Sequence, residues 1–101
     1  MIYEWDEAKR AANLRKHGLD FLRARMVLES EYVMIADSPR RGERRGETRQ
    51  QACAYVFDVL AVLTVAFAPG AGRCRIISFR PAHQKERRAY YAWLENHYHD
   101  R

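Results

Sequence analysis

Apolar and polar positions alternate with a period of two over most of the second half of the chain, and with a helical period over its first thirty residues and its end. Met1 to Trp5 reads as a short edge strand, and Asp6 is placed to cap a helix that Gly18 stops. Within it Ala8, Ala11, Ala12 and Arg15 recur at helical spacing, so the small alanines are expected against a sheet with Lys9, Arg10 and Lys16 outward. Asp20 then caps a second helix whose apolar face is Phe21, Ala24, Val27 and Leu28, which makes residues 6 to 29 a helical hairpin.

Tyr32 to Ala36 predicts another short strand, and the polar, glycine-punctuated run from Asp37 to Glu47 predicts a mobile loop. Three strands follow, at Thr48 to Val56, Val59 to Phe67 and Arg73 to Arg80. The middle one is apolar on both alternating faces and is expected to be central and covered on both sides. Pro81 ends the last strand, and a closing helix runs from His83 to Asn96 with Glu86, Ala89, Tyr90 and Trp93 on one side. The order β-α-α-β-β-β-β-α predicts a small α+β single domain, residues 1 to 101, with a mainly antiparallel twisted sheet packed by helices.

Charge narrows the reading. The 101 residues carry a net charge of +5 from fifteen arginines and three lysines against 13 acids. Arginine offers a planar fork that meets phosphate or carboxylate with two bonds, so a polyanion such as RNA, or an acidic protein, is favoured over a neutral substrate. Solubility alone accounts for the composition about equally well. Cys53 and Cys74 lie in apolar alternating runs and read as buried thiols. No secretory leader is expected from an opening with two acids, and no apolar run approaches membrane length, so the expected place is the cytoplasm. No cofactor is implied, and no metal motif, phosphate loop or serine triad is present.

Candidate chemistry concentrates between Arg75 and Tyr91. Strand alternation places Ser78 and Arg80 on one face and Arg75, Ile77 and Phe79 on the other, unless a bulge intervenes. The N-terminus of the following helix adds unpaired N–H groups beside them, a favourable place for an anion. His83 and His17 are candidate proton carriers, with Lys16 next to His17. Glu86 is either a base or the ion-pair partner of a strand arginine. Arg40, Arg41, Arg44 and Arg45 in the loop, Arg49 at the next strand, and Lys85, Arg87 and Arg88 on the last helix are candidate RNA-binding cations, although charge runs of this kind are usually solvated faces. Tyr90 and Trp93 are assigned to packing. Together these residues suit metal-free RNA cleavage, in which a 2′-hydroxyl attacks the adjacent phosphate.

Several blocks in succession, covering nearly the whole chain, carry a family resemblance: Tyr3-Glu4-Trp5-Asp6-Glu7-Ala8-Lys9, Ala12 to Phe21 with its Lys16-His17-Gly18, Gly46-Glu47-Thr48-Arg49, Arg75-Ile76-Ile77-Ser78-Phe79-Arg80 and Glu86 to Tyr90. In this succession the chain resembles the BrnT toxins of bacterial type II toxin-antitoxin systems. The resemblance implies a RelE-like fold, a ribonuclease activity that arrests translation, and neutralisation by a BrnA antitoxin with a ribbon-helix-helix domain. Operator DNA would then be bound only through the antitoxin. Lys16, His17, Glu47, Arg49, Arg75, Ser78, Arg80 and Glu86 fall at the family's blocks, while Cys53 stands where a glycine is expected and Pro81-Ala82-His83 replaces a more basic stretch. The other reading of the same charge is a non-catalytic basic module that grips nucleic acid or an acidic protein.

Overall fold

A computed structural model describes residues 1–38 and 46–97. The elements are β1 (Ile2–Glu4), α1 (Glu7–His17), a 3-10 turn (Phe21–Arg23), α2 (Arg25–Leu28), β2 (Met34–Asp37), β3 (Gln50–Val56), β4 (Ala61–Gly70), β5 (Arg73–Pro81) and α3 (Gln84–His97). The expected order and the α+β class are borne out. The loop arginines Arg40, Arg41, Arg44 and Arg45 lie outside the described residues.

The five strands form one mixed sheet in the order β1-β5-β4-β3-β2. Only β1 runs parallel to its neighbour β5; the other pairings are antiparallel. β4 is central as its two-faced apolar pattern requires, and Val62 to Ala68 are buried without a break. It starts at Ala61 rather than Val59 because the Val56 carbonyl accepts from the N–H groups of both Val59 (3.1 Å) and Leu60 (2.8 Å), which folds those residues into the hairpin turn.

One face of the sheet buries Ala52, Ala54, Val56, Leu63, Val65, Phe67, Ile76 and Phe79 against Phe21, Ala24 and Val27. The expected face of the second helix is therefore correct, although it is split into a 3-10 turn and a short α2. The opposite face is covered by a helix at one end only, where Tyr90 of α3 packs with Cys53, Val62 and Ala82. Its hydroxyl donates to the Tyr32 carbonyl (2.8 Å) and accepts from the Tyr55 N–H (3.2 Å), which fixes α3 to the β2-β3 side. Ala89, expected on the packed side of α3, is exposed.

The first helix packs the other way round from the alanine pattern. Asp6 and Gly18 cap α1 as expected, Gly18 in the left-handed region at φ 69°. Ala8, Ala11, Ala12 and Arg15 nevertheless face solvent, and Asn13 is buried. The Asn13 amide donates to the Phe79 carbonyl (2.8 Å) and the Leu19 carbonyl (3.0 Å) and accepts from the Phe79 N–H (3.1 Å). β1 pairs with β5 only from Arg73 to Arg75, so the outward peptide groups of Phe79 have no strand beside them. Three alanine methyls would gain roughly 0.8 kcal/mol each on burial. Two buried peptide groups left unpaired would cost about 1–3 kcal/mol each, and avoiding that greater penalty sets the phase of the helix.

Candidate active site

Three rows of side chains, set by register, run from the part of the second sheet face beneath α3 towards its other end. Cys53, Thr64 and Arg80 form one row, and Gln51, Ala66 and Ser78 the next. Arg75 lies opposite Ala68 in the third. Arg75 thus shares the face of Ser78 and Arg80, against simple alternation. The pairing shifts between Ala66↔Ser78 and Phe67↔Ile76, so Ile77 is an extra residue that inverts the phase of the strand before it. Ile77 itself packs with Ala66 and Ala68 on this face, another departure from the alternation expected.

Around the middle row lies a cleft of about 420 Å³. Its floor is Ala66, with Arg49 and Gln51 on one side and Ser78 and Arg80 on the other; Lys16 and His17 of α1 and His83 before α3 complete the wall. Each comes into place for a separate local reason. Asn13 ties α1 to Phe79, so the last turn of the helix carries Lys16 and His17 alongside β5. Pro81 and Ala82 turn the chain from β5 into α3, which leaves His83 over Arg80.

Arg80 is clamped to Glu86 by two bonds, Nη1 to Oε1 at 2.7 Å and Nη2 to Oε2 at 2.8 Å. Glu86 also accepts from the His83 N–H (2.8 Å) and the Thr64 hydroxyl (3.3 Å). The Arg80 bonds, opposed in part by burial and helped by the His83 N–H, hold the Glu86 carboxyl at about 2 against an ordinary 4.5. Glu86 is therefore a fixed anion that positions Arg80, and it is a poor proton acceptor near neutral pH. It also takes up the first N–H at the start of α3, so that helix end already holds a carboxylate. His17 differs: burial first, then the positive charges of Lys16, Arg80 and His83, lower its pKa from 6.5. Neutral His17 is a proton acceptor at pH 7.

Arg75 is paired with Glu47, and both side chains are nearly buried. The Arg75 Nε is buried without a hydrogen bond. Lys85, Arg87 and Arg88 stay on the solvent side of α3 and do not line the cleft; Arg87 donates to the Ala82 carbonyl at 2.8 Å. Cys53 and Cys74 are buried free thiols, as expected, and desolvation raises the pKa of each. Among the described residues no three His, Cys, Asp or Glu side chains gather to hold a metal ion, and no helix is long and apolar enough to cross a membrane. A second hollow of about 470 Å³, between Tyr32, Tyr55, Phe57, Tyr90, Tyr91 and Leu94, is larger but has no cation in its lining. It is therefore unsuited to phosphate.

Sequence reasoning did not single out Gln51 or Asn13. Alternation from Arg49 places Gln51 on the same face two residues on. Asn13 carries a weaker signal, an amide in a helix interior that disfavours it.

A small α+β domain with this cationic cleft matches a family model of ribonuclease toxins of type II toxin-antitoxin systems, over residues 5–86. The chain belongs to that family, BrnT. All the residues that line the cleft fall inside the matched segment. Membership implies RNA as substrate and a protein antitoxin as partner. A search of curated proteins finds no match.

Proposed function

We propose that the chain cleaves RNA in this cleft without a metal ion, by attack of a 2′-hydroxyl on its own 3′-phosphate. His17 takes the proton from the hydroxyl, O2′ forms a bond to phosphorus, and the bond from phosphorus to O5′ breaks. His83 or Lys16 gives a proton to the departing O5′, leaving a 2′,3′-cyclic phosphate and a free 5′-hydroxyl. Arg80 and Arg49 bind the charged phosphate oxygens, Ser78 orients them, and Arg75 adds charge from the next row. General acid and base groups contribute about 10²–10⁴-fold each, and one preorganised donor about 10²–10³-fold, enough for a slow nuclease.

The observation that carries this reading is the convergence of His17, Ser78, Arg80 and His83, from a helix end, a strand and a turn, on one cleft. In the cell the product would be arrested translation in the cytoplasm, relieved by a BrnA-type antitoxin with a ribbon-helix-helix domain that also carries the complex to operator DNA.

The test is purified protein on RNA with and without a chelator, with the ends of the fragments identified. Cyclic phosphate ends, insensitivity to the chelator and loss of cleavage in a folded Arg80→Lys variant are expected, since lysine keeps the charge but not the fork. Intact RNA, together with growth inhibition undiminished by Arg80→Lys, would overturn the proposal. Binding without cleavage, weakening steeply with salt, would make the cleft a binding surface instead.

A further inference from the structure

The middle row of the site face is chemically unlike its neighbours. Arg80 and Arg75 stand in the rows on either side, whereas Gln51, Ala66 and Ser78 are neutral. Gln51 and Ser78 flank Ala66 from the two adjacent strands, two strand spacings of about 4.8 Å apart, so the alanine methyl floors a notch about 10 Å wide at the backbone. Among the described residues neither the Gln51 amide nor the Ser78 hydroxyl has a hydrogen-bond partner, though both are half-buried. Polar groups in such a place are commonly satisfied by water or by a ligand.

From this arrangement we infer that Gln51 reads the Hoogsteen edge of a base flanking the scissile phosphate, favouring adenine over guanine and uracil, whose polar atoms on that edge are acceptors only. The inference rests on the ribonuclease reading above. A phosphate is drawn to the arginines, and the sugar attached to it leaves the base over the uncharged row. Bases of single-stranded RNA are read on their exposed edges. The cations around the notch, Lys16, Arg49 and Arg80, are donors only. The Gln51 amide supplies an acceptor for the N6 amino hydrogen of adenine and a donor for its N7, the bidentate match that an amide makes with that base. A site built to receive a hydrogen bond rejects the base that cannot give it, because its own group is then left unpaired.

The experiment measures kcat/KM on short oligonucleotides carrying each of the four bases at each of the two positions flanking the cleaved bond. At one position adenine is expected to exceed guanine and uracil by about tenfold or more. Gln51→Met, similar in length but without the amide, should bring that ratio close to one. Gln51→Glu, which keeps the acceptor, should retain a preference for adenine over guanine and uracil, and thermal melting verifies that each variant is folded. An unchanged ratio in folded Gln51→Met, or no base preference in the unaltered protein, would overturn the inference while leaving the ribonuclease reading in place. Unaltered protein that cleaves none of the oligonucleotides would remove the ribonuclease reading, and this inference with it.

Discussion

Replacing Glu86 by glutamine removes the anion from the Arg80 clamp while keeping its shape. In the folded protein the carboxyl is held at about 2 rather than 4.5, which corresponds to roughly 3 kcal/mol at 1.4 kcal/mol per tenfold. The side chains of Arg80 and Glu86 are 18% and 19% exposed, so water screens the pair only in part. Glutamine keeps one acceptor for Arg80, and the expected loss at pH 7 is therefore about 2–3 kcal/mol, large for a domain whose total stability is on the order of 5–15 kcal/mol. The pH dependence follows from the lowered pKa. The stabilisation is complete above the unfolded carboxyl's 4.5 and vanishes as pH falls towards about 2. Urea unfolding of both proteins at pH 7, 5, 3.5 and 2.5 isolates the effect, because the other carboxylates titrate alike in each. The gap should be full at pH 7 and narrow below pH 5. A gap that stays constant down to pH 2.5 would refute the reasoning, as would Glu86→Gln at wild-type stability.

Asn13→Ala should cost about 2–4 kcal/mol in urea unfolding, since it strands the two buried peptide groups of Phe79, and a loss below about 1 kcal/mol would remove Asn13 as the anchor of α1. Because the folded pKa of His17 is lowered, the rising limb of the pH profile of cleavage should have its inflection below 6.5. Lys16→Ala should move that inflection upward, and His17→Ala should lower the maximal rate by about 10²–10⁴-fold. Leu60 sits at φ 59° with its side chain in solvent, so Leu60→Gly should raise the melting temperature, by the equivalent of up to about 1 kcal/mol.

The sheet is legible in the amino-acid pattern where burial alone dictates that pattern. Val62 to Ala68 could only be a covered central strand, and Asp6, Gly18 and Asp20 mark helix ends through local hydrogen bonds that need no tertiary context. The first helix misleads because its docking is polar. Alanines at helical spacing are a weak signal, and the opposing influence, unpaired peptide groups on β5, depends on how short β1 is. Arg75 illustrates a second limit. Its face is decided by one extra residue at Ile77, and a bulge has no signature in hydrophobic alternation when the residues on both sides are apolar. Ser78 and Arg80 lie beyond the bulge, and their shared face is readable. Gln51 is within reach of the same alternation from Arg49, but an amide among so many charges is inconspicuous.

Asn13 also bears on how the molecule behaves at high concentration. Beyond Arg75 the outer edge of β5 has no neighbouring strand, and exposed peptide edges invite pairing with a second chain. One amide occupies the donor and acceptor of Phe79 on that edge and holds a helix across it. The same side chain that orients the site thus closes this edge of the sheet to further strands, and its loss would favour self-association even where the monomer still folds.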